Sequence, residues 1–158
     1  MDVGYHAKYR ILKNVFNNYP ADTISFDVYD HYEKPAFFKD KYVLLFVFKA
    51  GGKLYHEKYI YFSVHPTIDG NWASACDVHA TRFTADYKKL KEIAVPIQFK
   101  EHLSFKIRKV VPEKRSFYYS PPYFKIKGKK AIPLLGTYVD DLFKIEAEGI
   151  LKNRGYFK

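Results

Sequence analysis

Cysteine, methionine and tryptophan each occur once in this chain. A lone Cys76 closes no disulfide within the chain, so a disulfide framework is excluded. With one Met and one Trp, a core has to be built from Phe, Tyr, Val, Ile and Leu. Glycine and proline number 8 each in 158 residues, and no repeat, low-complexity tract or long linker is present. The longest apolar run, YVLLFVF from Tyr42 to Phe48, covers 7 residues. A membrane-spanning helix needs about 20, so no transmembrane segment is expected. Met1 is followed at once by strand-like DVGYHAKYR, with no signal peptide. The chain therefore reads as soluble, either never exported or starting after a removed leader, which leaves localisation and oligomeric state open. The phosphate-loop, dinucleotide-binding and nucleophile-elbow patterns are all missing, and no cofactor is expected.

Aromatic residues are abundant: 15 Tyr and 14 Phe bring them to 19%. Flat rings pack well on a pleated surface, which favours β structure. The length fits one domain over 1–158. HAKYRILKNVF reads as a strand, and NNYPAD as the turn after it. In DTISFDVYDHY, Ile24, Phe26 and Val28 alternate with polar neighbours, the period-2 pattern of a half-buried strand. KYVLLFVFK reads as a central strand covered on both faces, and AGG turns it into a hairpin with KLYHEKYIYFSVH. In the second arm Leu54, His56, Lys58, Ile60, Phe62 and Val64 share one parity. TADYKKLKEI suits a short helix capped by Thr84, VPIQFKEHLSFKIRKVV one or two strands, and the stretch around Pro121 and Pro122 an irregular segment. Thr137 with Asp140 predicts a capping box for a C-terminal helix over about 138–153, weakened by Gly149. The expected fold is mainly β, or α+β, with strands within about 5–127. Its architecture would be a small OB-like barrel or a strongly curved antiparallel sheet with a C-terminal helix.

YRILKNVFNNYPADTISFDVYDHY followed by KYVLLFVFKAGGKLYHEKY resembles netrin-like domains, the group that includes the tissue inhibitors of metalloproteinases. The resemblance spans residues 5–65 and is one of hydrophobic rhythm. It implies a five-stranded OB-type barrel with terminal helices, and a binding role. Those inhibitors carry many disulfides and a metal-chelating N-terminal Cys, and this chain has one Cys far from its start. No inhibitory residue carries over.

Reactive side chains gather in HPTIDGNWASACDVH, from His65 to His79. Cys76 and His79 have the C-x-x-H spacing of half a zinc site, with His65 as a further ligand, but a second such pair is missing. The same thiol beside His79, His65 or His102 would suit nucleophilic catalysis, although no signature surrounds it. Cys76 is equally at home as a small buried hydrophobe. His65, Cys76 and His79 are thus the candidate metal ligands, and Cys76 with His79 the candidate catalytic pair. The carboxylates give no acid–base pair: Asp27 and Asp30 lie on opposite faces of their strand.

Charge supplies the firmer clue. The net charge is +10, and residues 100–130 hold 10 Lys or Arg against 2 Asp or Glu. FKIRKVVPEKRSFYYSPPYFKIKGKK interleaves cations with rings, and its candidate binding residues are Lys106, Arg108, Lys109, Arg115, Tyr118, Tyr119, Tyr123, Lys125 and Lys127. Cations neutralise phosphates and rings stack on bases, as in single-stranded nucleic-acid grooves. An ordinary strand with lysines on its wet face gives the same composition. The reading leans away from an enzyme. It favours a binding or accessory module for an anionic or protein partner, with single-stranded nucleic acid as the alternative and Cys/His chemistry at 65–79 third.

Overall fold

A computed structural model describes residues 3–31, 34–75, 87–108 and 110–158. The chain forms two compact units, Met1–Phe62 and Ser63–Lys158.

The first unit holds β1 (Val3–Arg10), β2 (Thr23–Asp30), a 3-10 turn (Ala36–Lys39), β3 (Val43–Ala50) and β4 (Lys53–Ser63, whose last residue begins the second unit). They form one sheet in the order β1-β2-β4-β3. β1 and β2 pair antiparallel from Val3↔Asp30 to Arg10↔Thr23, while β2 meets β4 in parallel at Asp27↔Tyr55. The alternation in β2 puts Phe26 and Val28 in the core with Ala7 and Phe37, and Ile24 packs against them. Gly51 and Gly52 turn the hairpin with φ of +53° and +79°, which glycine adopts without a steric penalty.

Two local expectations change here. β3 is an edge strand, and its apolar run is mostly half-buried. In β4 strict alternation fails: His56 and Glu57 are both buried, and Tyr59 takes φ +69°, uncommon for a bulky residue.

The second unit holds β5 (His65–Pro66), β6 (Trp72–Ser74), α1 (Tyr87–Glu92), β7 (Val95–Pro96), β8 (Phe105–Lys106), α2 (Pro112–Tyr118), β9 (Phe124–Lys127), β10 (Lys130–Pro133), β11 (Leu135–Tyr138), α3 (Val139–Glu148) and α4 (Ile150–Asn153). One sheet runs β5-β6-β11-β7 and another β8-β10-β9. The molecule is mainly β with helices at its C-terminal end, as expected, but the strands among the described residues form three open sheets and no closed barrel.

The helices depart from the sequence reading in detail. The C-terminal helix is two pieces, interrupted at Gly149. Its N-cap is Tyr138, with no side-chain cap, because Thr137 lies in β11 and its hydroxyl donates to the Leu90 carbonyl at 3.4 Å. Asp140 and Asp141 do occupy the first turn, where they complement the helix dipole. The stretch from Arg115 to Pro133, expected to be extended and irregular, instead closes the helix α2 and then forms β9 and β10. The helix has Pro112 at its start and Glu113 in its first turn. With β11 the strands run to Tyr138, past the expected limit near 127. Thr84, the expected cap of α1, lies outside the described residues.

Candidate anion-binding face

The loop leaving β5 is held by its own polar side chains. The Thr67 hydroxyl donates to one oxygen of Asp69, and the Tyr138 hydroxyl donates to the other at 2.8 Å. The Asn71 N–H reaches the same aspartate at 3.2 Å and the Thr67 hydroxyl at 3.1 Å. These donors, Thr67 first and Tyr138 next, lower the Asp69 pKa to about 2. The same bond raises the pKa of the Tyr138 phenol, whose proton Asp69 holds. Asp69 therefore serves as the brace of a turn. The His65 ring meets the Phe99 ring edge-on at 6.0 Å between centroids. Cys76 and His79 lie outside the described residues. Among the described residues, no group of three or more His, Cys, Asp or Glu is placed to hold a metal ion.

The sheet β8-β10-β9 gives the basic segment its geometry. β10 is central, with Lys130 opposite Lys106 on one side and Lys127 on the other. Directly opposed residues share a face of a sheet. Lys106, Lys130 and Lys127 therefore form one row across three strands, and Lys125, opposite Ile132, joins them on that face. All four lysines are exposed. Among the described residues none of the four makes an ion pair.

The opposite face carries Phe105, Ala131, Phe124 and Pro133, with Ile126 exposed near the hairpin end. Phe124 and Ala131 join Ile107 and Tyr119 in a buried cluster. Phe105, Tyr119 and Phe124 meet ring to ring, Tyr119 edge-on to Phe124 at 5.2 Å. Alternation thus sorts the segment into a lysine side and an aromatic side.

The remaining candidates are distributed differently. Tyr119 is 4% exposed. Tyr118 and Tyr123 are half-buried against the same cluster. The Tyr123 hydroxyl donates to the Lys91 carbonyl at 3.2 Å, and the Lys91 ammonium sits 5.1 Å from its ring centre. Arg115 donates from Nε to the Val110 carbonyl at 3.0 Å, which engages part of its guanidinium in holding α2. Arg108 is exposed in the turn after β8, and Lys109 lies outside the described residues. Lys130, the centre of the row, belongs to the basic segment read from the sequence but not to its candidate binding residues. Its signal was the Gly128 turn: a two-residue connection in KGKK sets Lys127 and Lys130 opposite each other.

No helix among the described residues is long and apolar enough to cross a membrane. Comparison of the chain with family models, curated proteins and solved structures finds no match.

Proposed function

We propose that the chain is a non-enzymatic binding module whose partner is anionic and docks on the lysine face of β8-β10-β9. The observation that carries this reading is the row Lys106, Lys130, Lys127, three like charges directly opposed across adjacent strands. Like charges in such positions destabilise a sheet, each opposed pair by roughly 0.2–1 kcal/mol. A feature that works against the fold is accounted for when a bound partner supplies the missing negative charge. The netrin-like rhythm of residues 5–65 favours a binding role as well. Closure of the first unit into an OB-type barrel would extend that resemblance, and the lysine face does not depend on it.

Retention on immobilised heparin, a sulfated polyanion, tests the reading. The wild-type chain should be held at 50 mM salt and elute as salt rises, because each ammonium contact displaces counterions. The triple variant Lys106→Gln, Lys127→Gln, Lys130→Gln should elute at distinctly lower salt. Elution of both proteins at the same salt would remove the face from the function.

A further inference from the structure

We infer that the anion is the phosphate backbone of a nucleic-acid duplex, bound without reading its sequence. The inference rests on the binding reading above and names the partner of the same face.

The chemistry of the face comes first. Its side chains are Lys106, Lys130, Lys127, Lys125 and Ile132. A lysine ammonium is a compact point charge, without the planar fork that reads a base edge. Among the described residues of these strands no ring shares the face: Phe105 and Phe124 point the other way, and Tyr119 is buried with them. Single-stranded binding relies on rings that stack on bases, and the rings of these three strands, Phe105 and Phe124, pack with Tyr119 on the other side of the sheet. Phosphate contacts alone fix a protein on nucleic acid without conveying sequence.

Dimensions come second. Neighbouring strands lie about 4.8 Å apart, so the row of three lysines spans roughly 10 Å. Lys125 stands two residues from Lys127 along β9, or about 7 Å. The result is a patch of four cations on a hydrogen-bonded frame. Over about 10 Å a duplex offers roughly six charges, and one of its strands half as many. The denser array neutralises more of the patch at once. An extended acidic peptide, with at most one carboxylate per ~3.4 Å, matches it less well.

The test is fluorescence anisotropy of the whole protein with a labelled 20-base-pair DNA duplex, its separate strands, a second duplex of unrelated sequence, and poly-glutamate. Both duplexes should bind with equal affinity, several-fold more tightly than the single strands or poly-glutamate. The logarithm of the binding constant should fall against log salt with a slope of about −3 to −4, as for four phosphate contacts. Lys130→Gln should reduce that slope by about one. Tighter binding to a single strand, or to poly-glutamate, would overturn the inference and leave the anionic-partner reading in place. A marked preference between the two duplexes would also overturn it. No binding to any of these polyanions at 50 mM salt would overturn both.

Discussion

His56 shows how one buried ring couples this fold to pH. It is 8% exposed, its ring lies 4.7 Å from that of Phe37 and 6.4 Å from that of Phe26, and its Nε2–H donates to the Ile60 carbonyl at 3.1 Å. Burial disfavours the imidazolium and lowers its pKa from 6.5 to about 4, against smaller opposing effects from the Ile60 carbonyl, Glu57 and Asp30. The unfolded chain therefore takes up this proton first. The stabilisation is complete above pH 6.5 and is lost as the pH falls toward 4. Urea unfolding at pH 7.5 and pH 5 should differ by about 2 kcal/mol, with less stability at the lower pH. His56→Phe, which keeps an aromatic ring in the cluster, should flatten most of that difference. An equally steep profile in the variant would mean that other groups carry it. The parity of β4 set His56 with Leu54 and Ile60 but also with Lys58, so its burial was only partly legible in the sequence. The break at Tyr59 was not, because a positive φ at tyrosine has no compositional signal.

At the scale of elements, packing decided what local signals left open. A Cβ on Gly136, in β11, would stand 2.5 Å from the Ser74 carbonyl oxygen and 3.0 Å from Ile97 Cδ1. The first of these is backbone of the paired strand β6 and has little room to move. Gly136→Ala should destabilise the protein by about 1–3 kcal/mol, measured by chemical denaturation, through forced separation of β11 from β6. Unchanged stability would show that the strands relax at little cost.

The lysine row makes the opposite forecast. Lys130→Thr removes two like-charge oppositions and adds a residue that suits strands. Its stability should rise, by up to about 1 kcal/mol, while heparin retention falls. A loss of both would make Lys130 a structural residue. The β3–β4 hairpin was legible because two glycines follow a long apolar run. The helix α2 was not, since the prolines at 121 and 122 outweighed Pro112 and Glu113, which mark a helix start. Thr137 resembled a cap by spacing, but strand pairing with Ser74 claimed it first.

Across the whole molecule, the question is whether the proposed binding follows net charge or the placement of a few charges. The excess in residues 100–130 was plain from the sequence, and so was its interleaving with rings. Interleaving alone misleads, because neighbours such as Phe105 and Lys106, or Phe124 and Lys125, face opposite sides of a strand. Only the register across β8, β10 and β9 shows which lysines share a face, and short strands leave few residues from which to infer it. Two triple variants separate the alternatives. Lys106→Gln, Lys127→Gln, Lys130→Gln and Lys39→Gln, Lys49→Gln, Lys53→Gln each lower the net charge from +10 to +7. The second set is exposed in the first unit, away from the three-stranded sheet in sequence and sharing none of its strands. If the attraction were a property of total charge, both would weaken duplex binding alike, through long-range terms that salt screens within about 10 Å at 0.1 M. Contact at the row predicts instead that the first set lowers affinity at least tenfold at 0.1 M salt and cuts the salt slope by two to three. The second set should change affinity less than threefold and leave the slope intact. Equal losses from the two sets would return the basic segment to the role of a solvated surface.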